Sequence, residues 1–338
     1  MKAIYLKKYG KAEDAFEIRE TQKPLCGPEE ILIEVECFGL NYAEVMARYG
    51  LYQAAPKPPC ILGYEVVGTI REVGKNTGTS HIGKRVVAFT RFGGYAQFAV
   101  THQNAFAEIG DMDAGEACCI AVQYATAYYM AYETTNLFPG DNVLIHAGAG
   151  GVGTALIQLC KLKGAFVYAN AGSDDKLDYM KKQGADDVFN YRNADYETYL
   201  SSKKVKLDVS FNPIAGATFK KDYRLLNAGG RIVLFGGSER SGKKWGLLSS
   251  LNFLRKMGRI IPIFLMGYSK SIIGVNMLKI GDHKPLVLAR CMKNVIDLVQ
   301  KGKLKPHVGA SFKATEIAEA HALLESRNSM GKIVLYWN

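Results

Sequence analysis

The first third of the chain alternates apolar and polar residues with the two-residue period of half-buried β-strands. In "ILIEVEC" (31–37), isoleucine, valine and cysteine alternate with two glutamates. "RVVAF" (85–89) and "YAQFAV" (95–100) are further short apolar runs, separated by a Gly-Gly turn. Alternation of this kind predicts strands with one buried face. Residues 1–110 are therefore expected to be β-rich.

From about residue 124 to 276 the pattern changes to short apolar runs alternating with helical stretches. The runs are "NVLIHA" (142–147), "AFVYAN" (165–170), "LDVSF" (207–211), "RIVLFG" (231–236) and "SIIGV" (271–275). Runs apolar on both faces are typical of a parallel sheet covered by helices. Between the first two runs, one apolar helix face is formed by Val152, Ala155, Leu156, Leu159 and Cys160. Residues 284–301 and 315–327 then predict two helices, and "KIVLYW" (332–337) a closing strand.

A glycine-rich stretch, "HAGAGGVGTALIQL" (146–159), lies between the first of these strands and the helix. Its glycines match G-x-G-x-x-G, a spacing that carries meaning only in a strand–turn–helix context, where bare backbone lets a pyrophosphate reach a helix N-terminus. That context is present, so the stretch predicts a dinucleotide site rather than an ordinary turn. The candidate contacts are Gly148, Gly150, Gly151, Val152 and Gly153. An aspartate at Gly151 or Gly153 is expected to abolish binding and leave the fold intact.

The end of the second strand of this unit indicates which dinucleotide binds. An acidic residue about 20 positions after the glycines usually accepts a hydrogen bond from the ribose 2′-hydroxyl. Asn170 and Ala171 occupy that region here, and Gly172, Ser173 and Lys176 follow. A hydroxyl and an ammonium group suit a 2′-phosphate, so NADP(H) is favoured over NAD(H). The alternative for Lys176 is an ordinary surface lysine on a helix.

Composition narrows the class of protein. The 338 residues are 48% hydrophobic and 22% charged, which predicts about two globular domains. The seven cysteines are scattered without a C-x-x-C pair, so reduced thiols are expected. The longest apolar run, residues 260–266, is far below the roughly 20 residues of a membrane span. "MKAIYL" at the start does not resemble a signal peptide, and a cytoplasmic protein is expected. The net charge of +11 comes without a nucleic-acid-binding motif, so no nucleic-acid partner is expected.

Extended motifs resemble the medium-chain dehydrogenase/reductase superfamily, in particular the quinone oxidoreductases and their vesicle amine transport protein branch. They are "FGLNYAEVMARYGLY" (38–52), "ILGYEVVGTIREVG" (61–74), "PGDNVLIHAGAGGVG" (139–153), "GADDVFNYR" (184–192), "SIIGVNML" (271–278) and "KPHVGASF" (305–312). The resemblance implies an α/β fold in which a doubly wound Rossmann domain (124–276) is inserted in a GroES-like, β-rich catalytic domain (1–123 and 277–338). It also implies an active site in the cleft between the domains and a homodimer formed through Rossmann sheet edges.

The positions that hold catalytic zinc in the alcohol dehydrogenases of this superfamily carry Asn41, Tyr64 and Val122 here. Valine cannot ligate a metal, and amide and phenol oxygens are poor zinc ligands. The four-cysteine lobe that holds structural zinc in those relatives is absent as well. We therefore expect no metal and a zinc-independent reductase.

Without a Lewis acid, the expected reaction is hydride transfer from the nicotinamide to a quinone or an activated enone, since the product anion is delocalised. No catalytic residue is assigned. The pocket candidates are Asn41, whose amide is expected to point at substrate or nicotinamide, and Tyr52 and Tyr64, as donors to the developing oxyanion. Each tyrosine has an equal alternative as a packed aromatic. The resemblance adds Thr126 near the nicotinamide, Tyr191 at the adenine, and Phe235, Gly236 and Gly237 facing the cofactor.

Two other functions remain open at this point. Residues 243–270 mix Trp, Leu and Phe with lysine and arginine, as an interfacial helix does. A lipid- or membrane-interacting protein that retains the reductase fold is therefore an alternative, although a pocket-lining segment with a solvated basic face is favoured. Only weak contact with anionic membranes is then expected. The other alternative, reduction of 2-alkenals or enoyl groups, uses the same hydride chemistry.

Overall fold

The computed structural model describes residues 1–240, 247–258 and 260–337, and within them the chain forms two compact units. Unit 1 comprises Met1–Thr126 and Met277–Asn338, and unit 2 comprises Ala127–Asn276. Lys243, Lys244 and Arg259, which belong to the basic segment noted above, lie outside the described residues.

The strands follow one another along the chain with the bounds β1 Lys2–Leu6, β2 Phe16–Glu20, β3 Glu30–Leu40, β4 Cys60–Ile61, β5 Glu65–Val73, β6 Arg85–Phe89, β7 Phe98–His102, β8 Phe106–Glu108, β9 Asn142–Ile145, β10 Phe166–Ala171, β11 Asp187–Asn190, β12 Leu207–Asn212, β13 Leu226–Leu234, β14 Ser271–Gly274, β15 Val308–Lys313 and β16 Lys332–Tyr336.

The α-helices are α1 Ala12–Ala15, α2 Tyr42–Arg48, α3 Ala114–Cys118, α4 Ala125–Tyr128, α5 Gly151–Leu162, α6 Asp175–Lys182, α7 Tyr196–Ser202, α8 Ala217–Leu225, α9 Leu247–Met257, α10 Pro262–Tyr268, α11 Met277–His283, α12 Pro285–Gln300 and α13 Ile317–Ser326. Two π-helical turns, Ile120–Tyr124 and Tyr129–Thr134, flank α4.

Unit 2 is built on a six-stranded sheet with the order β11-β10-β9-β12-β13-β14, in which every neighbouring pair is parallel. This is the order of a doubly wound Rossmann fold, where ligands bind beyond the carboxyl ends of the strands. The runs of apolar residues form the strands because both faces of the sheet are buried; Val143, Leu144 and Ile145 of β9 are inaccessible to solvent.

Unit 1 contains a seven-stranded sheet with the order β15-β16-β3-β5-β6-β8, and β7 pairs with the first half of β3. A second, smaller sheet has three strands in the order β2-β1-β4. The burial of β3 alternates only from Ile33 to Cys37, where Glu34 is half-buried and Glu36 is exposed. Ile31 to Ile33 and Cys37 to Leu40 are all buried, so the strand is half-buried in its middle and fully buried where β16 joins it.

None of the seven cysteines, all of which lie in the described ranges, forms a disulfide; six are buried and Cys26 is half-buried. No helix in the described ranges has both the length and the apolar character needed to cross a bilayer.

Candidate functional site

The glycine-rich loop connects β9 to α5 in unit 2. Ala147 has a left-handed backbone (φ 52°), and its carbonyl oxygen accepts a hydrogen bond from Gly150 N–H at 3.0 Å. Gly150 is the N-cap of α5, and no side chain caps the helix there. The first N–H groups of a helix carry partial positive charge and are left to bind an anion when no side chain occupies them. The loop therefore fits a phosphate group.

The three motif glycines differ in whether the surrounding protein leaves room for a side chain. A Cβ on Gly148 would lie 2.7 Å from Met180 Sδ, and a Cβ on Gly153 would meet Ala147 O and, at 2.7 Å, Gly148 Cα. A Cβ on Gly150 would have one neighbour within 4 Å, Ala147 O at 3.4 Å. Gly148 and Gly153 are thus required by the packing of the protein itself, whereas the protein leaves room for a side chain at Gly150. The expectation that Gly153→Asp leaves the fold intact is wrong, because its side chain would clash with backbone.

The carboxyl end of β10 carries the residues expected at the adenosine end of a dinucleotide. Ala171 is buried, and a Cβ on Gly172 would lie 2.6 Å from Tyr191 Oη and 3.3 Å from Arg192 Nε. Ser173 is half-buried. Arg192 is exposed and has no acidic partner among the residues described. The sequence reasoning missed Arg192, although it follows Tyr191 directly in "NYR".

Lys176, in the first turn of α6, is only 7% exposed. Burial lowers its pKa, and the nearby charge of Arg192 lowers it further, against the opposite effect of Asp175. Lys176 is therefore not an ordinary surface lysine, because its side chain is largely shielded from solvent. Its proximity to Arg192 concentrates positive charge beside Gly172.

Phe235, Gly236 and Gly237 follow the carboxyl end of β13, the strand two places from β9. A Cβ on Gly236 would lie 2.6 Å from Pro213 O, whereas one on Gly237 would have only Phe253 Cζ nearby, at 3.8 Å. Since all strands of this sheet are parallel, these residues lie at the same sheet edge as the glycine-rich loop.

In unit 1 the candidate Asn41 belongs to a buried polar network. Its Nδ2 donates to Glu65 Oε1 at 2.8 Å, and its Oδ1 accepts from Lys332 Nζ at 3.1 Å and from Gln123 Nε2 at 3.5 Å. Lys332 also donates to Glu65 Oε1, and both of these side chains are 0% exposed. Val122 N–H donates to the other oxygen of Glu65 at 2.9 Å. The Asn41 amide therefore keeps at most one N–H for a ligand, less than the sequence reasoning assumed.

Glu44 joins Asn41 to the second candidate, Tyr64. Its carboxyl group accepts hydrogen bonds from Asn41 N–H at 2.6 Å and from Tyr64 N–H at 2.9 Å, and it is fully buried. Burial raises the pKa of Glu44 to about 8, against the lowering effect of Asn41 N–H and of Lys332. Glu44 thus holds in place the backbone N–H groups of both candidates.

Tyr64 lies in an aromatic group with Tyr52, Phe89 and Phe92, at ring-centroid distances of 6.1, 6.2 and 5.1 Å. Its buried hydroxyl makes no hydrogen bond within the described residues, and neither does the carbonyl oxygen of Gln123. Burial raises the pKa of Tyr64, so the hydroxyl keeps its proton. Buried polar groups are nearly always paired in native proteins. Tyr64 thus offers a hydrogen-bond donor to a ligand, and Gln123 offers an acceptor.

Of the other candidates in unit 1, Tyr52 is half-buried and Thr126 is buried.

The residues at the superfamily's zinc positions do not fit a zinc ion. Asn41 is already bonded to Glu65 and Lys332, Val122 contributes only its backbone, and an ammonium group lies against the nearest carboxylate. No three His, Cys, Asp or Glu side chains come together as a metal site in the described part of the chain. These polar groups instead surround a buried ion pair between Lys332 and Glu65.

Two family models match the chain. The alcohol dehydrogenase GroES-like domain matches residues 27–139, and the zinc-binding dehydrogenase domain matches residues 151–279. The first falls in unit 1 except for its last residues, and the second covers most of unit 2.

Relatives of two kinds are similar over nearly the whole chain. The synaptic vesicle membrane protein VAT-1 homolog of Danio rerio is 30% identical over 318 residues, which are 93% of this chain and 65% of that protein. The chain therefore spans slightly less than two thirds of that relative's length. The quinone oxidoreductase of Rattus norvegicus is 28% identical over 340 residues, 99% of this chain and 97% of that protein.

Solved structures agree with both kinds of relative. Human synaptic vesicle membrane protein VAT-1 homolog-like protein has a TM-score of 0.85 at 26% identity, covering 99% of this chain and 98% of that one. Escherichia coli quinone oxidoreductase complexed with NADPH has a TM-score of 0.86 at 25% identity, covering 99% and 100%. These findings confirm the predicted fold class, a GroES-like domain combined with a Rossmann sheet. The chain belongs to the medium-chain dehydrogenase/reductases, as a member of the quinone oxidoreductase and VAT-1 type.

Proposed function

We propose that the protein is an NADP(H)-dependent, zinc-independent reductase that delivers hydride to a quinone or an activated enone. The observation that carries this proposal is the uncapped N-terminus of α5 behind Gly150, at the carboxyl edge of a parallel sheet. That geometry binds a dinucleotide pyrophosphate. Relatives that are named quinone oxidoreductases support the reaction type.

The choice of NADP(H) rests on the end of β10. Ala171 offers no carboxylate to a ribose 2′-hydroxyl, while Arg192, Lys176 and Ser173 supply positive charge and a hydroxyl beside Gly172. A guanidinium group binds phosphate oxygens in a bidentate manner. The Escherichia coli relative solved with NADPH is consistent with this choice.

We expect Arg192→Ala to weaken NADPH binding about tenfold or more and to leave NADH binding unchanged. A hydrogen bond to a charged group contributes about 1.5–3 kcal/mol, and only NADPH carries the 2′-phosphate. Isothermal titration with both dinucleotides measures the two affinities. Arg327→Ala, which removes a positive charge from unit 1, is the matched control. An equal loss for NADPH and NADH would contradict this role.

When bound, NADPH supplies the hydride. Residues of unit 1 hold the acceptor: Tyr64 donates its free hydroxyl to a carbonyl oxygen that gains negative charge, and the remaining Asn41 N–H and the Gln123 carbonyl orient the ring. The delocalised anion formed from a quinone or an enone needs less stabilisation than the localised alkoxide formed from a simple ketone, so a neutral phenol donor favours quinones and enones as acceptors.

A panel of quinones, enones, 2-alkenals and simple ketones tests the proposed reaction. NADPH oxidation followed by absorbance is expected with quinones or enones, to persist with a strong chelator, and to fall with Tyr64→Phe. Tyr5→Phe, a tyrosine on β1 of the same unit, is the matched control. Faster turnover of 2-alkenals or enoyl thioesters would favour the alkenal or enoyl reductase alternative. Tight NADPH binding without turnover of any acceptor would contradict the reductase.

A second candidate function, contact with membranes, is favoured by one observation. Several large apolar side chains of α9, of α10 and of the residue before α10 are exposed, namely Leu251, Leu254, Ile261, Ile263, Phe264, Met266 and Tyr268. An open groove of about 430 Å³ lies between these helices and α8, with Lys220 and Arg224 among its lining residues. Ile261, Phe264 and Tyr268 line this groove, as expected for a pocket-lining segment, whereas Leu251, Leu254, Ile263 and Met266 do not line it.

We expect weak binding to vesicles containing anionic lipid, and loss of that binding at high salt, because exposed charges are screened within about 10 Å at 0.1 M salt. Co-sedimentation at low and high salt measures it, and Phe264→Glu should reduce it while Phe138→Glu, an equally exposed phenylalanine, should not. Strong, salt-resistant binding to neutral vesicles would make the membrane the primary partner.

We also propose a homodimer. The support is the edge strand β14, which pairs with β13 on one side and with no other strand of the described residues. An open edge is a ready template for pairing with a second chain.

A further inference from the structure

We propose that Asn170 positions the glycine-rich loop from inside the protein and does not take part in recognising the ribose. The inference rests on the proposed dinucleotide function. Asn170 lies near the end of β10, in the region where an acidic residue would bind the ribose, yet it is 0% exposed. Its backbone oxygen accepts from Gly148 N–H at 2.9 Å, and its side-chain Oδ1 accepts from Ala147 N–H at 3.4 Å. Two successive N–H groups of the loop therefore end on this one residue.

The direction of each hydrogen bond in the network follows from Ala147. A backbone N–H can only donate, so the oxygen of the Asn170 amide faces Ala147 and its Nδ2 faces His146 Nδ1, at 3.0 Å. Nδ2 can only donate, so His146 Nδ1 is an acceptor and its proton is on Nε2. Nε2 then donates to Asp222, whose carboxylate oxygens lie at 3.0 and 3.1 Å.

Asp222 on α8 anchors this chain of hydrogen bonds in the core. Besides His146, it accepts from Tyr196 Oη at 2.7 Å, from Ser210 Oγ at 2.7 Å and from Asn212 Nδ2 at 2.6 Å. Burial alone would raise the pKa of Asp222, but His146 and the hydroxyl donors outweigh burial and lower it. Asp222 is therefore a buried carboxylate whose two oxygens accept hydrogen bonds from four protein side chains.

The loop needs such support because Ala147 is held in a left-handed conformation. For a residue with a Cβ this costs about 1–2 kcal/mol. In the described structure the Ala147 carbonyl also receives Gly150 N–H, so its orientation determines where the loop backbone runs before α5. Loss of the Asn170 side chain would release one N–H of this loop and leave His146 Nδ1 without its donor.

The neighbouring Ala171 is the matched position for comparison. It is the last residue of β10, directly before Gly172, and its methyl side chain has no polar atom that could join the network. A carboxylate at 171 should therefore change the preference between NADPH and NADH, whereas a carboxylate at 170 should not.

The test is titration of wild type, Asn170→Ala and Ala171→Asp with NADPH, NADH and adenosine 2′-monophosphate, which lacks the pyrophosphate. For Asn170→Ala we expect Kd to rise about tenfold for both dinucleotides, with their ratio and the affinity for adenosine 2′-monophosphate kept within about twofold. For Ala171→Asp we expect NADPH and adenosine 2′-monophosphate to lose at least about tenfold, and NADH to lose little. A merely structural defect would lower all three affinities together.

Asn170→Asp is the second variant, since it preserves volume if Asn170→Ala does not fold by circular dichroism. It should weaken both dinucleotides without a gain of NADH preference. A shift of preference to NADH in Asn170→Asp, an unchanged NADPH Kd in Asn170→Ala, or an equal loss for adenosine 2′-monophosphate would overturn the proposal. Failure of the wild type to bind either dinucleotide would instead contradict the proposed function.

Discussion

Gly150→Asp is expected to weaken binding of both NADPH and NADH at least about 100-fold, or about 2.7 kcal/mol. The residue caps α5 without a side chain, and its φ of −75° suits any amino acid. The aspartate would therefore fold into place, cap the helix N-terminus itself and present a negative charge where a pyrophosphate binds. Fluorescence titration with both dinucleotides measures the loss.

Two variants separate charge from space and from general damage. Gly150→Ala adds only a Cβ, at an ordinary 3.4 Å from Ala147 O, and should lose much less affinity than the aspartate. Gly78→Asp makes the same charge change on a turn of unit 1 and should lose none. Micromolar NADPH binding retained by Gly150→Asp would mean that the glycines form only a turn.

Lys332→Met is expected to lower the free energy of unfolding by about 3–5 kcal/mol. Lys332 and Glu65 are both completely buried, so removing the ammonium group leaves a carboxylate in the core with only neutral donors, Asn41 and Val122. Urea unfolding followed by circular dichroism measures the change.

The combined variant Lys332→Met with Glu65→Gln removes both charges and should recover most of the lost stability. The exposed pair Arg71–Glu34 provides the matched comparison, because Arg71→Met should cost at most about 1 kcal/mol. A Lys332→Met midpoint equal to that of Arg71→Met would show that the buried pair does not stabilise unit 1.

The sequence predicted those strands whose apolar runs are long enough to indicate burial by themselves. The first and last residues of these strands differ by at most five positions from those of the predicted runs; the strands are β9, β10, β12, β13 and β14. β11, Asp187–Asn190, was not predicted as a strand, because it mixes two polar residues with two apolar ones at the edge of the sheet. An edge strand buries little, so its sequence carries a weak hydrophobic signal.

The candidate site was predictable only where it is local in sequence. The glycine loop depends on neighbours within one strand–turn–helix unit, and its position follows from the pattern. The environment of Asn41 depends on Lys332, 291 residues away, and the pattern of the sequence gives no sign of that contact. Arg192 was overlooked for a similar reason: it comes to Gly172 only because β10 and β11 are adjacent.

The position of β16 has a consequence for the order of folding. This strand joins β3 inside the sheet of unit 1, but it is translated after all of unit 2. Residues 127–276 form an uninterrupted segment that contains its entire sheet, so it is able to fold as soon as it leaves the ribosome. Residues 1–126 must wait longer, with the second half of β3 open and Glu65 without its cation, until Lys332 emerges. During synthesis, unit 2 is therefore able to complete its fold while unit 1, although its first part is made earlier, still lacks its last strands.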